Sequence, residues 1–117
     1  MGKLNGREIM RFDGFSFQRS ESASRELGTL ILRENGLAFR RVKSPLLALF
    51  NSRRAGTDTS EVFELSYKQI DNTVWDTASI CLRLRDDARC YFLSPRRDEV
   101  GRAGSYIFDR MMEYRLK

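Results

Sequence analysis

Histidine is absent from this chain of 117 residues, and there are only two cysteines and two prolines. Without histidine there is no commonest general base, no commonest metal ligand and no Ser-His or Cys-His nucleophile pair. Cys81 and Cys90 are too few for a disulfide scaffold or a zinc site. No apolar run approaches the roughly 20 residues of a membrane-spanning helix. The N-terminus lacks the apolar core of a signal peptide. No phosphate-cradling glycine loop, metal-ligand spacing, internal repeat or low-complexity tract occurs. These absences point away from an enzyme and imply no cofactor. They suit a cytoplasmic chain, or a cytoplasmic part of a longer one, at most peripheral to a membrane.

What is present is ordinary in amount. A hydrophobic content of 41% with 32% charged residues fits a globular chain, and the length suits a single domain, 1–117, with its core over about 12–116. The net charge of +5 and a pI near 9.6 favour acidic partners. A merely solvated basic surface is the equally common alternative.

The hydrophobic pattern centres on Gly28 to Val42. Asn35-Gly36 separates two apolar runs and suits a two-residue type I′ turn, which sets Leu32 across from Phe39 and Arg33 across from Ala38. One face then carries Leu30, Leu32, Leu37 and Phe39, and the other carries Ile31, Arg33, Ala38 and Arg40. Before it, Phe15 and Phe17 mark a strand over 14–20, and residues 1–11 read as a frayed or loosely docked end. After it, Ser44-Pro45 stops the strand and a long irregular stretch fills 44–60.

Glu61 to Tyr67 alternates as a strand, Lys68-Gln69 makes a corner, and Ile70 to Asp76 is a weaker strand with Ile70 and Val74 on one face and Trp75 on the other. Thr77-Ala78 reads as a turn. Ile80 to Arg85 and Arg89 to Leu93 form a hairpin around a two-residue Asp86-Asp87 turn, with Ile80, Leu82, Leu84, Tyr91 and Leu93 inward. From Ser94, a capping residue with Pro95 in the first helical position, the period becomes 3.6. Val100, Ala103, Gly104, Ile107, Met111 and Tyr114 form one helical face. The class is mainly β: about seven antiparallel strands and one C-terminal amphipathic helix.

Three stretches carry a family likeness. Gly28-Thr29-Leu30-Ile31-Leu32 through Leu37-Ala38-Phe39 is similar to the opening hairpin of pleckstrin-homology (PH)-like domains of the GRAM type. Phe63 to Ile70 resembles their (aliphatic)-Pro-(aromatic)-x-x-Ile segment, with Ser66 where proline is common. Ile80 to Phe92 followed by Ser94 to Phe108 resembles their last hairpin and closing helix. The resemblance implies a partly open seven-stranded antiparallel barrel capped by the helix. It also implies a non-catalytic domain that binds phosphoinositide or anionic lipid, or that binds proteins. Lipid-binding members carry basic residues around the first two strands, and here that region offers Arg19, Arg25 and Arg33.

The candidate site is the segment after the central hairpin. Arg40, Arg41 and Lys43 precede Leu46, Leu47, Leu49 and Phe50, and Arg53 and Arg54 follow, with no acid between Phe39 and Asp58. A basic collar around an apolar tip suits insertion at an anionic membrane surface. A protein-binding patch fits as well, as does a short element folded over the barrel mouth with solvated arginines. Gly101-Arg102-Ala103-Gly104 matches the glycine loop of KH domains, but too few residues precede it for the required helix and turn, so close helix-sheet packing is the better reading. Cys81 and Cys90 read as same-face, diagonal free thiols. Trp75 reads as a surface anchor or as cover on the barrel's outer face. Asp86 and Asp87 read as a turn rather than a catalytic dyad. The expected function is a lipid- or phosphoinositide-binding module. The alternative is a protein-interaction or self-assembly module, and nucleic acid is disfavoured as a partner.

Overall fold

A computed structural model describes residues 6–20, 24–41 and 60–116. The first strand, β1 (Glu8–Gln18), begins well before the expected 14–20. The reason is a break in its alternation. Met10, Phe12, Phe15 and Phe17 all pack toward the core, yet two residues separate Phe12 from Phe15. A bulge between Asp13 and Phe15 resets the period, and Gly14 at its centre has φ +79°. Residues 8–11 are therefore paired strand rather than a frayed end, with Arg11 opposite Ile31.

Strands β2 (Glu26–Arg33) and β3 (Gly36–Arg41) form the central hairpin. Its inward set, Leu30, Leu32, Leu37 and Phe39, is fully buried as expected. The turn differs. It lies at Glu34-Asn35, so Leu32 faces Leu37 and Leu30 faces Phe39. Positive φ among the described residues occurs only at Gly14 and Asp87, so the type I′ turn at Asn35-Gly36 is not formed. The turn is not free-standing. Glu34 N–H donates to Arg7 O at 2.9 Å, Tyr67 N–H donates to Asn35 O at 3.3 Å, and Tyr67 Oη donates to Arg33 O at 2.7 Å. Tertiary partners thus set a geometry that local propensity alone would not. The two-residue slip conserves both faces because the strand period is two.

Strand β4 (Ser60–Ser66) runs antiparallel to β3. The expected corner is a 3-10 turn, Tyr67–Gln69, closed by a reciprocal cap between Ser66 and Gln69. Strand β5 (Ile70–Trp75) has an irregularity between Ile70 and Asn72. It turns Thr73 and Trp75 toward the helix and leaves Val74 57% exposed. The expected pairing of Val74 with Ile70 on one face is thereby reversed. Strands β6 (Ser79–Leu84) and β7 (Arg89–Leu93) follow. The Thr77-Ala78 turn stands, held by Asp76 Oδ1 accepting from the N–H groups of Ala78 and Ser79, which keeps that carboxyl below its usual range.

The β6–β7 loop spans 85–88 rather than two residues, with Leu84 N–H on Ala88 O at 2.8 Å. This moves the register by one. Leu82 faces Cys90 and Cys81 faces Tyr91. Cys90 and Phe92 are buried in place of Tyr91 and Leu93. The two cysteines, both free, therefore lie on opposite faces of the hairpin.

The closing helix, α1 (Arg97–Leu116), starts after Pro95. Ser94 Oγ accepts from Arg96 N–H at 3.2 Å, but the helix begins two residues later than expected, so Pro95 precedes it rather than filling its first position. Its buried face is Val100, Ala103, Gly104, Ile107 and Met111. Strand order is β4-β3-β2-β1-β7-β6-β5, and β4 does not pair with β5. The result is one unclosed seven-stranded antiparallel sheet with a C-terminal helix. The Phe17 ring lies 4.8 Å from Phe63, 5.1 Å from Phe92 and 5.3 Å from Phe39, joining the two halves of the sheet at the core.

Candidate functional site

The chain leaves β3 at Arg41 and returns to β4 at Ser60, and these two residues pair across the sheet. The β3–β4 connection is therefore rooted at a single point. Of the expected site residues, Arg40 and Arg41 are described. Lys43, Leu46, Leu47, Leu49, Phe50, Arg53 and Arg54 lie outside the described residues.

Arg40 and Arg41 face opposite ways because they are consecutive on a strand. Arg40 belongs to the outer face, among charged neighbours. There Glu8 bonds Arg11 at 2.8 and 3.0 Å, and Arg33 meets Glu64 at 3.3 Å. The Glu8 carboxyl is held below its usual range, first by the Arg11 hydrogen bond, then by the charges of Arg11, Arg33 and Arg40. Arg33, one of the three basic residues of the first two strands, thus points into this outer lattice and away from the sheet's open end.

Arg41 lies on the inner face at the sheet margin, paired to Glu26 at 3.0 Å. Arg19 follows β1, with its guanidinium 5.7 Å from the Phe17 ring centre and 5.5 Å from Phe63. Such stacking contributes about 0.5–1 kcal/mol at an exposed site while leaving the N–H edge of the group usable. Arg25 immediately precedes β2, whose Glu26 faces Phe17. The β1–β7 register sets Gln18 opposite Tyr91, which brings the start of β7, Arg89, toward the end of β1. Arg25 and Arg89 are exposed and have no carboxylate partner among the described residues.

Arg19, Arg25, Arg41 and Arg89 thus stand at the adjoining ends of four strands, beside the root of the β3–β4 connection, with Arg41 on the inner face and Arg89, next to buried Cys90, on the outer one. Arg89 is the member that the sequence pattern does not reveal. Only the pairing of the first strand with the last brings it there.

Below this rim Cys90 is closed off. Burial pushes its thiol up to about 12, opposed by the nearby Arg19 charge. Trp75 is 36% exposed and lies on the helix side of β5 rather than covering the outer face. Its indole packs beside Phe108 at 6.0 Å between ring centres, over Gly104.

This architecture is the PH-like fold. Neither a protein-family model nor a curated protein sequence matches the chain. Among solved structures, the Vps36 N-terminal PH domain superposes with a TM-score of 0.71 at 8% identity, over 100% of this chain and 87% of that one. The Slm1 PH domain in complex with phosphoserine gives 0.66 at 10% identity, over 90% and 96%. The C-terminal domain of an unknown protein from Leishmania infantum gives 0.58 at 14% identity, over 90% and 85%. At these identities the likeness is one of fold.

Proposed function

We propose that the chain is a non-catalytic PH-like module, nearest the GRAM type by its hairpin spacing, that attaches to anionic membrane lipid at the cytoplasmic face. Phosphoinositide headgroups are the ligands that suit it best. The observation that carries this reading is the gathering of Arg19, Arg25, Arg41 and Arg89 at one end of the sheet. The connection rooted there adds Lys43, Arg53 and Arg54 for the headgroups, and Leu46, Leu47, Leu49 and Phe50 for the acyl boundary. The Slm1 PH domain, of the same fold, forms complexes with inositol 4-phosphate and with phosphoserine. Each arginine near an anionic leaflet contributes about 1 kcal/mol, so four supply roughly 4 kcal/mol before any apolar insertion.

Co-sedimentation with vesicles tests it. Phosphatidylcholine vesicles carrying phosphatidylinositol 4-phosphate should retain the protein, and pure phosphatidylcholine vesicles should not. The Arg25→Glu/Arg89→Glu variant should lose about tenfold or more in binding, since each reversal both removes an attraction and adds a repulsion. Equal binding to both vesicle types would sink the proposal.

A second reading, a module for a protein partner or for self-association, is favoured by a groove between β1 and α1. Met10, Gly101, Ser105 and Tyr106 line it between Asp98 and Asp109. Light scattering after size exclusion tests the self-associating form. A monomer at millimolar concentration removes it.

A further inference from the structure

A smaller cleft of about 200 Å³ lies between the 3-10 turn and the β6–β7 loop, lined by Lys68, Gln69, Leu84, Arg85 and Asp86. None of these residues belongs to the arginine rim described above. Arg85 is clamped here twice. Its main-chain N–H donates to Gln69 O at 3.0 Å, and its Nε donates to Lys68 O at 2.6 Å. The two Nη groups of its fork have no partner among the described residues. Lys68 likewise has no carboxylate partner among them, and its ammonium stands 5.7 Å from the Tyr114 ring centre. Gln69 Oε1 accepts from Ser66 N–H, which leaves the amide nitrogen as a donor.

The neighbouring acid is engaged elsewhere. Asp86 Oδ1 accepts from Ala88 N–H at 3.0 Å and holds the loop. The cleft sets a fixed arginine fork, an ammonium and an amide donor beside the single carboxylate of Asp86, so donors and positive charge predominate. It is below the usual volume of a drug-sized pocket, roughly 300–1,000 Å³, and suits a single phosphoryl group. Both supporting loops are internally tied, the turn by its Ser66/Gln69 cap and the loop by the Leu84–Ala88 bond, so the donors are preorganised.

We propose that this cleft is a second phosphate-recognition site, taking a phosphate monoester whose dianion is bound by Lys68 and Arg85. It stands on residues independent of the open end. The monoester can be a soluble inositol phosphate or the headgroup of a lipid, since both present the same group.

Two-dimensional ¹H–¹⁵N NMR titration of the full chain separates the possibilities, with inorganic phosphate, D-myo-inositol 4-phosphate and, in a third arm, vesicles carrying phosphatidylinositol 4-phosphate. Saturable shifts of the Lys68, Gln69 and Arg85 amides are expected with the soluble probes. A response to vesicles alone assigns the site to a lipid headgroup. Lys68→Ala should weaken binding about tenfold or more, and Asp86→Asn should tighten it, because the asparagine retains Oδ1 for the loop while removing a repulsive charge. Arg25→Glu/Arg89→Glu should leave these shifts intact even where it abolishes vesicle retention, so failure of the open-end reading does not touch this one. Shifts confined to the open end, shifts that never saturate, or an Asp86→Asn variant that binds no better would each overturn the proposal.

Discussion

Two glycines one helical turn apart have different reasons to be there. A Cβ on Gly104 would sit 2.6 Å from Trp75 Cγ, whereas one on Gly101 would meet nothing within 4 Å. Gly104→Ala should therefore force the indole aside and cost about 1–3 kcal/mol, with a shift in tryptophan fluorescence. Gly101→Ala should stabilise by up to about 1 kcal/mol through helix propensity alone. Urea unfolding of both variants checks the pair, and equal effects would refute the packing argument. Cys90 yields a pH effect of definite sign. Its thiol, pushed up to about 12 by burial, stays neutral in the fold while the unfolded thiol ionises near 8.5. Stability from this group is complete below that unfolded value and falls as pH rises from about 8.5 toward 12, because the unfolded state then holds fewer protons. Cys90→Ser, or thermal melts between pH 8 and 10.5 against it, reads the difference. Half-exposed Cys81 should react with a thiol reagent first.

At the scale of elements, β1 is the piece on which the two halves of the sheet depend. Its first part pairs with β2 and its last part with both β2 and β7. The Gly14 bulge keeps Phe12 and Phe15 both inward across the change of period. Gly14→Ala places a side chain in the left-handed region and should cost about 1–2 kcal/mol, read as a lower urea midpoint with unchanged slope. No van der Waals clash contributes, since nothing lies within 4 Å of that Cβ. The reading of residues 8–11 as frayed failed at this same bulge. No single unbroken period describes β1, because inserted residues between Glu8 and Met10 and between Asp13 and Phe15 shift its register with β2. The β6–β7 hairpin failed similarly. Two acids resemble a two-residue turn, but the loop closes from Leu84 to Ala88, and the odd register reverses which residues are buried. Strand existence was legible from hydrophobic runs, whereas register depends on loops whose closure is decided by their neighbours.

At the scale of the whole molecule, the net charge of +5 is unevenly spent. Arg33 and Arg11 are neutralised on the outer face, while Arg25 and Arg89 stand without carboxylates at the open end among the described residues. Exposed pairs such as Arg41–Glu26 contribute only about 0–1 kcal/mol and yield readily to a phosphate. Binding to anionic vesicles should fall steeply as sodium chloride rises from about 0.05 to 0.5 M, as the Debye length shrinks below the headgroup spacing. Any binding that survives high salt reports apolar insertion, and Leu47→Asp/Phe50→Asp should abolish it. Survival of the high-salt fraction in that variant would remove the apolar tip from the proposal.

The sequence by itself determined the number and kind of elements, the inward faces of the central hairpin and of the closing helix, and hence the PH-like class. These follow from periodicity, which is local and repeated many times along the chain. It also located Arg40 and Arg41, but as neighbours in a list they looked equivalent. Only the tertiary structure sent Arg40 outward and Arg41 to the rim, joined Arg19 to Arg89 through the pairing of the first and last strands, and clamped Arg85 onto Lys68. Such sites are made by contacts between residues far apart in sequence, and their positions depend on register and closure, which no local pattern encodes.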